Sequence, residues 1–324
     1  MKVLFISSGF LGIYPLLEES IIKAFKSLNH SISTITPTFT NEIADWIELF
    51  QPDFALSFVG YKTDDRLLQA LRKKGVSLGV WLTEDPYYID RSIKLINKYN
   101  YIFTIDIGAD EYYKEAFPAK NIHYLPLATD PSLYYPDNQF NYPLYDVCLV
   151  GYPYPNRIDL IHNILKQTSL TILLAGPDWK RYFPEENNKL KILNKWVGPD
   201  SVRSIYSFSK IVLNPHRPFH FFKNRNSLAI ESRSINNRTF DIAACKGFQL
   251  IENKPDLSFH FDISQDIVPY DHYEECIHLI NHFIEDKDLR TRYSQNARIR
   301  LLKSHTFFHR VKYIIEQVMG RFDK

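Results

Sequence analysis

Short apolar runs alternate along this chain with longer stretches whose apolar positions recur at helical spacing. Val3-Leu4-Phe5-Ile6 has no polar residue at alternate positions, so it reads as a strand covered on both faces, as in a parallel sheet. Ser7-Ser8-Gly9 then turn the chain, and over 15–28 Leu16, Leu17, Ile21, Ile22 and Phe25 share one helical face. The alternation continues with strands expected at 31–35, 54–59, 76–82 and 101–105, and helices at 43–50, 65–74 and 91–98. Strand and helix in strict turn predict an open, doubly wound α/β sheet.

The rhythm breaks between Pro126 and Pro143, where Pro and Asp cluster as they do in turns and linkers. A second series begins at Val147-Cys148-Leu149-Val150, which runs into Gly151 and a helix at 157–166. Strands are expected at 170–174, 190–192, 211–213 and 248–251. A helix at 241–245 is stopped by Lys246-Gly247, and three helices follow at 274–283, 289–303 and 306–318. The reading is two α/β domains in series, 1–140 and 141–305, then a final helix in 306–324.

A chain of 324 residues buries on the order of 75% of its unfolded surface and needs no disulfide or metal staple. Its 45% hydrophobic and 23% charged residues exclude a disordered, collagen-like or coiled-coil protein. The 15% aromatic share supplies flat faces for sugars or bases as well as core. Lys and Arg (39) nearly balance Asp and Glu (37), and no block of five like charges occurs. Nucleic acid is therefore not expected as the partner. Cys148, Cys245 and Cys276 are far apart and form no CxxC, which fits a reducing, cytoplasmic setting. The first residues lack the features of a signal peptide, and no apolar run approaches the roughly 20 residues that span a bilayer. No integral membrane segment is expected.

Chemistry-bearing residues cluster just after the expected strands, where open α/β sheets bind ligands. Ser7–Gly12 reads as a tight turn, or as a place where backbone comes close to a ligand. Glu84-Asp85-Pro86 offers two carboxylates for a base or for sugar hydroxyls, or else an acidic helix cap. Gly151 through Arg157 combines a Gly turn, two prolines and an Arg at a helix start, a cradle for an anion. Trp179 suits either stacking on a ligand or a place in the core. Asn214-Pro215-His216-Arg217 opens a polar loop that runs to Asn237. There Asn236 or Asn237 can cap a helix, and Arg238 and Asp241, three apart, share its face. Arg and the helix start suit a diphosphate, and the carboxylate suits ribose hydroxyls. No HExxH, no His/Cys cluster and no GxSxG is present, so neither a metal site nor a serine hydrolase is expected.

Asn237-Arg238-Thr239-Phe240-Asp241-Ile242-Ala243-Ala244-Cys245-Lys246-Gly247-Phe248 resembles the N-x-R-x-F-E-x-x-A-C-G-x-F signature of CgeB-like spore-maturation glycosyltransferases. The resemblance extends to Asp146–Gly151 with Asn156-Arg157, to Lys210–Asn214 with His216, to Ile267–Tyr270 with Glu274-Glu275, and to His305-Thr306-Phe307 with His309-Arg310. Trp81-Leu82 and Glu84-Asp85-Pro86 are similar to the associated N-terminal domain. It implies a GT-B fold, with two Rossmann-like domains facing a cleft and a final helix crossing back to the first. The first domain holds the acceptor, and the second a nucleotide-diphosphate sugar, the donor substrate.

The activity implied is metal-independent glycosyl transfer to a glycan or protein acceptor, for instance of the spore surface. No cofactor is implied. Gly151, Arg157, Asn214, His216, Asn237, Arg238 and Asp241 would bind the donor, Asp85 would be the acceptor-side base and Glu84 the second candidate. A non-catalytic coat protein binding a nucleotide sugar or glycan, and a nucleotide-sugar epimerase of the same fold, are the alternatives. The chain departs from the signature in Asp241 for Glu and in Lys246 for a small residue. It also lacks the Glu-x7-Glu pair of many retaining relatives, with Arg233 eight positions before Asp241. The resemblance therefore leaves retention or inversion open.

Overall fold

The computed structural model describes residues 1–137, 139 and 142–320. The domain boundary expected at 140/141 lies outside the described residues. The chain forms two compact units: Met1–Leu127 with Phe219–Ser234 and the chain from Phe307 onward, and Ala128–Pro218 with Ile235–Thr306.

In the first unit β1 (Lys2–Ile6), α1 (Tyr14–Ser27), β2 (Ser31–Ile35), α2 (Asn41–Phe50), β3 (Phe54–Phe58), α3 (Asp65–Lys73), β4 (Ser77–Leu82), α4 (Ile89–Ile96), β5 (Tyr101–Thr104), α5 (Ile107–Ala116) and β6 (Asn121–Tyr124) follow in turn. The sheet order is β2-β1-β3-β4-β5-β6, and every pairing is parallel. All five residues of β3 are buried, which explains its unbroken apolar run. α3 turns Leu67, Leu68 and Leu71 inward, and its start is fixed by the Asp64 carboxylate accepting from the Arg66 N–H at 2.9 Å. Truncating one such leucine to Ala costs about 2–5 kcal/mol.

The second unit contains β7 (Tyr145–Val150), α6 (Pro155–Gln167), β8 (Ile172–Ala175), α7 (Trp179–Tyr182), β9 (Leu190–Leu193), α8 (Pro199–Ser207), β10 (Ser209–Asn214), α9 (Arg238–Ala244), β11 (Gln249–Glu252), α10 (Leu257–His260), β12 (Val268–Tyr270), α11 (Tyr273–Glu285) and α12 (Lys287–Ser304). Its parallel sheet runs β12-β11-β10-β7-β8-β9. Counted within the unit, that is the 3-2-1-4-5-6 order of dinucleotide-binding sheets, and the order reverses between β7 and β10.

The last helix, α13 (Phe307–Met319), belongs to the first unit. Phe307 sets its ring edge-on to Trp81, with centroids 6.4 Å apart. The buried Arg310 donates from Nε to the Pro126 carbonyl at 2.8 Å. Two doubly wound α/β sheets with the terminal helix returned to the first constitute the GT-B fold. The helix expected at 241–245 starts three residues earlier, and α5, α7, α8, α10, β6 and β12 go beyond the elements that periodicity marks out.

Candidate active site

The second sheet reverses its order at β7 and β10, and the loops leaving these strands carry most of the expected donor residues. Gly151 follows β7 with φ 142°. A Cβ there would lie 2.7 Å from Arg157 Nη1 and 2.7 Å from Arg238 Nη2, so only glycine lets both guanidinium groups close on this backbone. Gly176, after β8, comes closer still: its Cβ would meet the Gly151 carbonyl oxygen at 2.2 Å. That carbonyl accepts from Trp179 Nε1 at 2.8 Å. Trp179 is fully buried, so of its two readings the structure supports the core one.

Arg157 stands in the first turn of α6 behind Pro155 and is 2% exposed. Its Nε and Nη2 donate to the Pro215 carbonyl at 3.1 and 2.7 Å, and its Nη1 to the Tyr152 carbonyl at 2.9 Å. Arg157 thus ties the loop after β7 to the loop after β10. The Arg157 and Arg217 guanidinium carbons lie 4.8 and 5.6 Å from the Tyr154 ring.

Asn214 ends β10 and is fully buried. Its Nδ2 donates to Thr239 Oγ1 and Gln249 Oε1 at 3.0 and 3.2 Å. Its Oδ1 accepts from Asn236 Nδ2 at 2.9 Å and from Arg238 Nη1 at 3.5 Å. Asn214 therefore orients Arg238, which is half-buried. His216 is 1% exposed, its backbone N–H donates to Glu252 Oε2 at 2.9 Å, and its Nε2 accepts from the Asn236 N–H at 3.2 Å. That acceptor role puts the ring proton on Nδ1, which has no partner among the described residues. Burial, and then the charges of Lys254, Arg157 and Arg238, hold the ring well below the usual imidazole range, so it is neutral.

The start of α9 is satisfied by Asn236, whose Oδ1 accepts from the Thr239 N–H at 3.2 Å. Asn237 turns its amide instead to Asp241 Oδ2, at 3.1 Å. The other Asp241 oxygen accepts from the Thr129 hydroxyl at 2.7 Å. Burial pushes the Asp241 carboxyl up to about 7, against the opposing pull of the Thr129 bond, the Arg238 charge and the Asn237 bond.

In the first unit the two expected carboxylates part company. Asp85 is 1% exposed and accepts from Ser92 Oγ, Thr104 Oγ1 and Tyr113 Oη at 2.5, 2.8 and 3.1 Å. Burial raises its pKa, with those three bonds opposing. Glu84 is half-buried and accepts from the Tyr14 hydroxyl. Neither caps α4, whose first turn has no side-chain cap. Gly151, Arg157, Asn214, His216, Asn237, Arg238 and Asp241 thus lie together in the second unit, and Glu84 and Asp85 together in the first.

Over 255 residues the chain is 36% identical to the spore protein CgeB of Bacillus subtilis (strain 168), covering 78% of this chain and 80% of that protein. The chain belongs to the CgeB-like glycosyltransferase family. A family model described as "Glycosyl transferase-like" matches residues 157–316, which include every expected donor residue except Gly151. The sucrose-phosphate synthase of Thermosynechococcus elongatus superposes with a TM-score of 0.69 at 10% identity, over 99% of both chains. Anabaena HepE, in complex with UDP and glucose, superposes with a TM-score of 0.67 at 13% identity, over 99% of this chain and 100% of that one. At such identities the likeness is one of fold. Among the described residues of this CgeB-like chain, no group of three or more His, Cys, Asp and Glu side chains could hold a metal ion. No described helix is long and apolar enough to cross a membrane.

Glu252 and Gln249 complete the second-unit cluster and were not expected from the sequence, while Asn236, expected only as a possible helix cap, also holds Asn214 and His216. Glu252 takes the His216 N–H on Oε2 and pairs with Lys254 through Oε1 at 3.4 Å. Its place at the end of β11, one strand from the reversal point, is the signal that marks it.

Proposed function

We propose that this CgeB-like protein transfers a glycosyl group from a nucleoside-diphosphate sugar to a hydroxyl of a glycan or protein acceptor. The observation that carries the reading is the convergence of the Arg157 and Arg238 guanidinium groups on Gly151, beside the reversal point of the second sheet. In the reaction the bond from the anomeric carbon to the diphosphate breaks and a bond to the acceptor oxygen forms. Negative charge grows on the departing diphosphate. Arg238, held by Asn214, is aimed at it, while Arg157 fixes the loops and adds its positive field. Cations fixed in advance need no reorganisation as the charge develops. Asp241 is assigned to ribose hydroxyls. That role requires its bonds to Thr129 and Asn237 to yield or be shared.

Glu84 is the acceptor-side group we favour. It is the more exposed of the two carboxylates and would accept the acceptor's proton in an inverting reaction. Asp85, sealed by three hydroxyls, positions the turn that carries Glu84. The cytoplasm is the proposed setting, where the three buried free cysteines stay reduced. The spore-protein relative suggests an acceptor on the spore surface, and the UDP-bound structure of HepE makes UDP-glucose the first donor to try.

The other reading is a non-catalytic role, in which the chain binds a nucleotide sugar without turning it over. A single experiment separates the readings. Thermal unfolding is followed with UDP, GDP and dTDP, and release of nucleotide from the matching sugars is then measured. A ligand at 100 times its Kd stabilises by about 2.7 kcal/mol. Stabilisation with turnover supports transfer, and stabilisation without turnover supports binding alone. No response to any of the three nucleotides rejects both.

A further inference from the structure

The segment Phe219–Ser234 belongs to the first unit and contains neither helix nor strand. Structureless loops longer than about 12–15 residues are uncommon in compact domains and are usually binding or lid segments, or disordered. This segment is firmly held. Asp90 accepts from the Ser227 N–H at 3.0 Å and from its hydroxyl at 2.8 Å. The Arg225 N–H donates to the Tyr87 carbonyl at 2.8 Å, and the Asp90 N–H to the Arg225 carbonyl at 3.1 Å. At the far end Asp106 accepts from the Arg233 and Ser234 N–H groups at 2.9 and 3.0 Å, while its other oxygen caps α5 through the Gly108 N–H at 2.8 Å. Both clamps lie beyond the carboxyl ends of β4 and β5. The first grips the same turn that begins at Glu84, whose carbonyl accepts from the Tyr88 N–H at 3.1 Å.

Between the clamps the tip is closed by Asn224. Its N–H donates to the Phe221 carbonyl at 2.8 Å, and its Nδ2 to the Phe219 carbonyl at 2.7 Å. The closed tip presents Phe221 and Phe222 with ring centroids 4.8 Å apart, and Phe222 is 80% exposed. The braced loop backbone that carries this ring has lost much of its conformational freedom before any ligand arrives.

We propose that this strap is the acceptor-recognition element of the enzyme and that it binds carbohydrate, with the C–H face of a sugar ring laid on Phe222. The inference rests on the glycosyl-transfer reading. Carbohydrate is favoured over peptide because the strap offers one open ring among polar neighbours rather than a concave apolar pocket. Its only other exposed large apolar side chain is Leu228. Lys223 Nζ lies 5.6 Å from the Phe222 ring centroid, which puts a donor group suited to hydroxyls beside the ring.

The test uses the full chain and a panel of cello-, malto- and chito-oligosaccharides, with binding read by saturation-transfer NMR and titration calorimetry. Wild-type protein is expected to bind at least one member of the panel. Phe222→Ala should weaken that binding about 5- to 10-fold, and Phe222→Trp should restore it. Equal affinity in Phe222→Ala overturns the proposal, as does the absence of binding to every member of the panel. Selective use of a peptide acceptor overturns the carbohydrate assignment. UDP, GDP and dTDP binding by the wild-type protein is measured alongside. Failure there counts against the donor reading, whereas failure of the Phe222 series counts against the strap.

Discussion

The Thr129 hydroxyl donates a 2.7 Å hydrogen bond to Asp241 Oδ1, across 112 positions of sequence. Thr129 also forms a parallel bridge with Thr306, so the carboxylate of α9 is tied to two segments remote from it in the chain. A glutamate at 241 would carry its oxygens one methylene farther and could not keep this geometry unchanged. The departure from the family signature is thus coupled to a specific internal partner.

The burial of that carboxylate has a pH signature. The folded-state pKa of Asp241, about 7, lies above the unfolded value near 3.8. The folded chain therefore holds this proton more tightly, and the contribution of Asp241 to stability falls as pH rises from about 4 to about 7 and is then flat. Asp241→Asn should flatten that part of the pH profile, because an amide stays neutral while its oxygen still accepts from Thr129. Urea unfolding of both proteins at pH 5 and pH 8 measures the difference. An unchanged profile would show that Asp241 is ionised across the whole range.

Arg238 is half-buried and orders against Asn214 and Gly151, so its removal should spare the fold. A hydrogen bond to a charged group contributes roughly 1.5–3 kcal/mol. Arg238→Ala is expected to weaken nucleotide-diphosphate affinity about 10- to 150-fold, read by calorimetry with the nucleotide that binds wild type. Unaltered affinity removes Arg238 from the donor site.

Both sheets were legible because strands buried on two faces leave apolar runs, as in Phe54–Phe58 and at Ile211-Val212-Leu213. The half-exposed β6 (Asn-Ile-His-Tyr) leaves no such run, and α5, with Gly108 and two adjacent tyrosines, has a poor helical pattern. The allegiance of the strap had no local signal, since Asp106 meets Arg233 and Ser234 from more than 120 positions away. At the site, the positions after strands pointed to Asn214, His216 and Arg238. The directions of side chains were not legible: Glu84 and Asp85 are neighbours, yet only Asp85 is enclosed by hydroxyls.

Lys246 ends α9 in the left-handed region, at φ 56°, and is exposed. A Cβ in that conformation crowds the following carbonyl, and helices prefer Gly just past their last turn. Lys246→Gly should therefore raise unfolding stability by about 0.5–1 kcal/mol and leave nucleotide affinity as it was. A loss of stability would mean that the lysine makes a compensating contact.

Glu84 and Asp85 are expected to respond oppositely. Asp85→Ala leaves the buried Thr104 hydroxyl and the Tyr113 hydroxyl without their common acceptor, while Ser92 keeps its bond to Tyr61. Each buried group left unsatisfied costs about 1–3 kcal/mol, so the main effect should be on stability, seen as a lower urea midpoint. Glu84→Gln removes a partly exposed proton acceptor that takes the Tyr14 hydroxyl, and the amide oxygen can still accept that bond. Its stability should stay within about 0.5 kcal/mol of wild type. If the reaction inverts and Glu84 takes the acceptor proton, transfer should fall about 10²–10⁴-fold while nucleotide affinity holds. Wild-type transfer in Glu84→Gln would exclude it as the base. A folded Asp85→Ala protein with lost transfer and intact stability would return the base to Asp85.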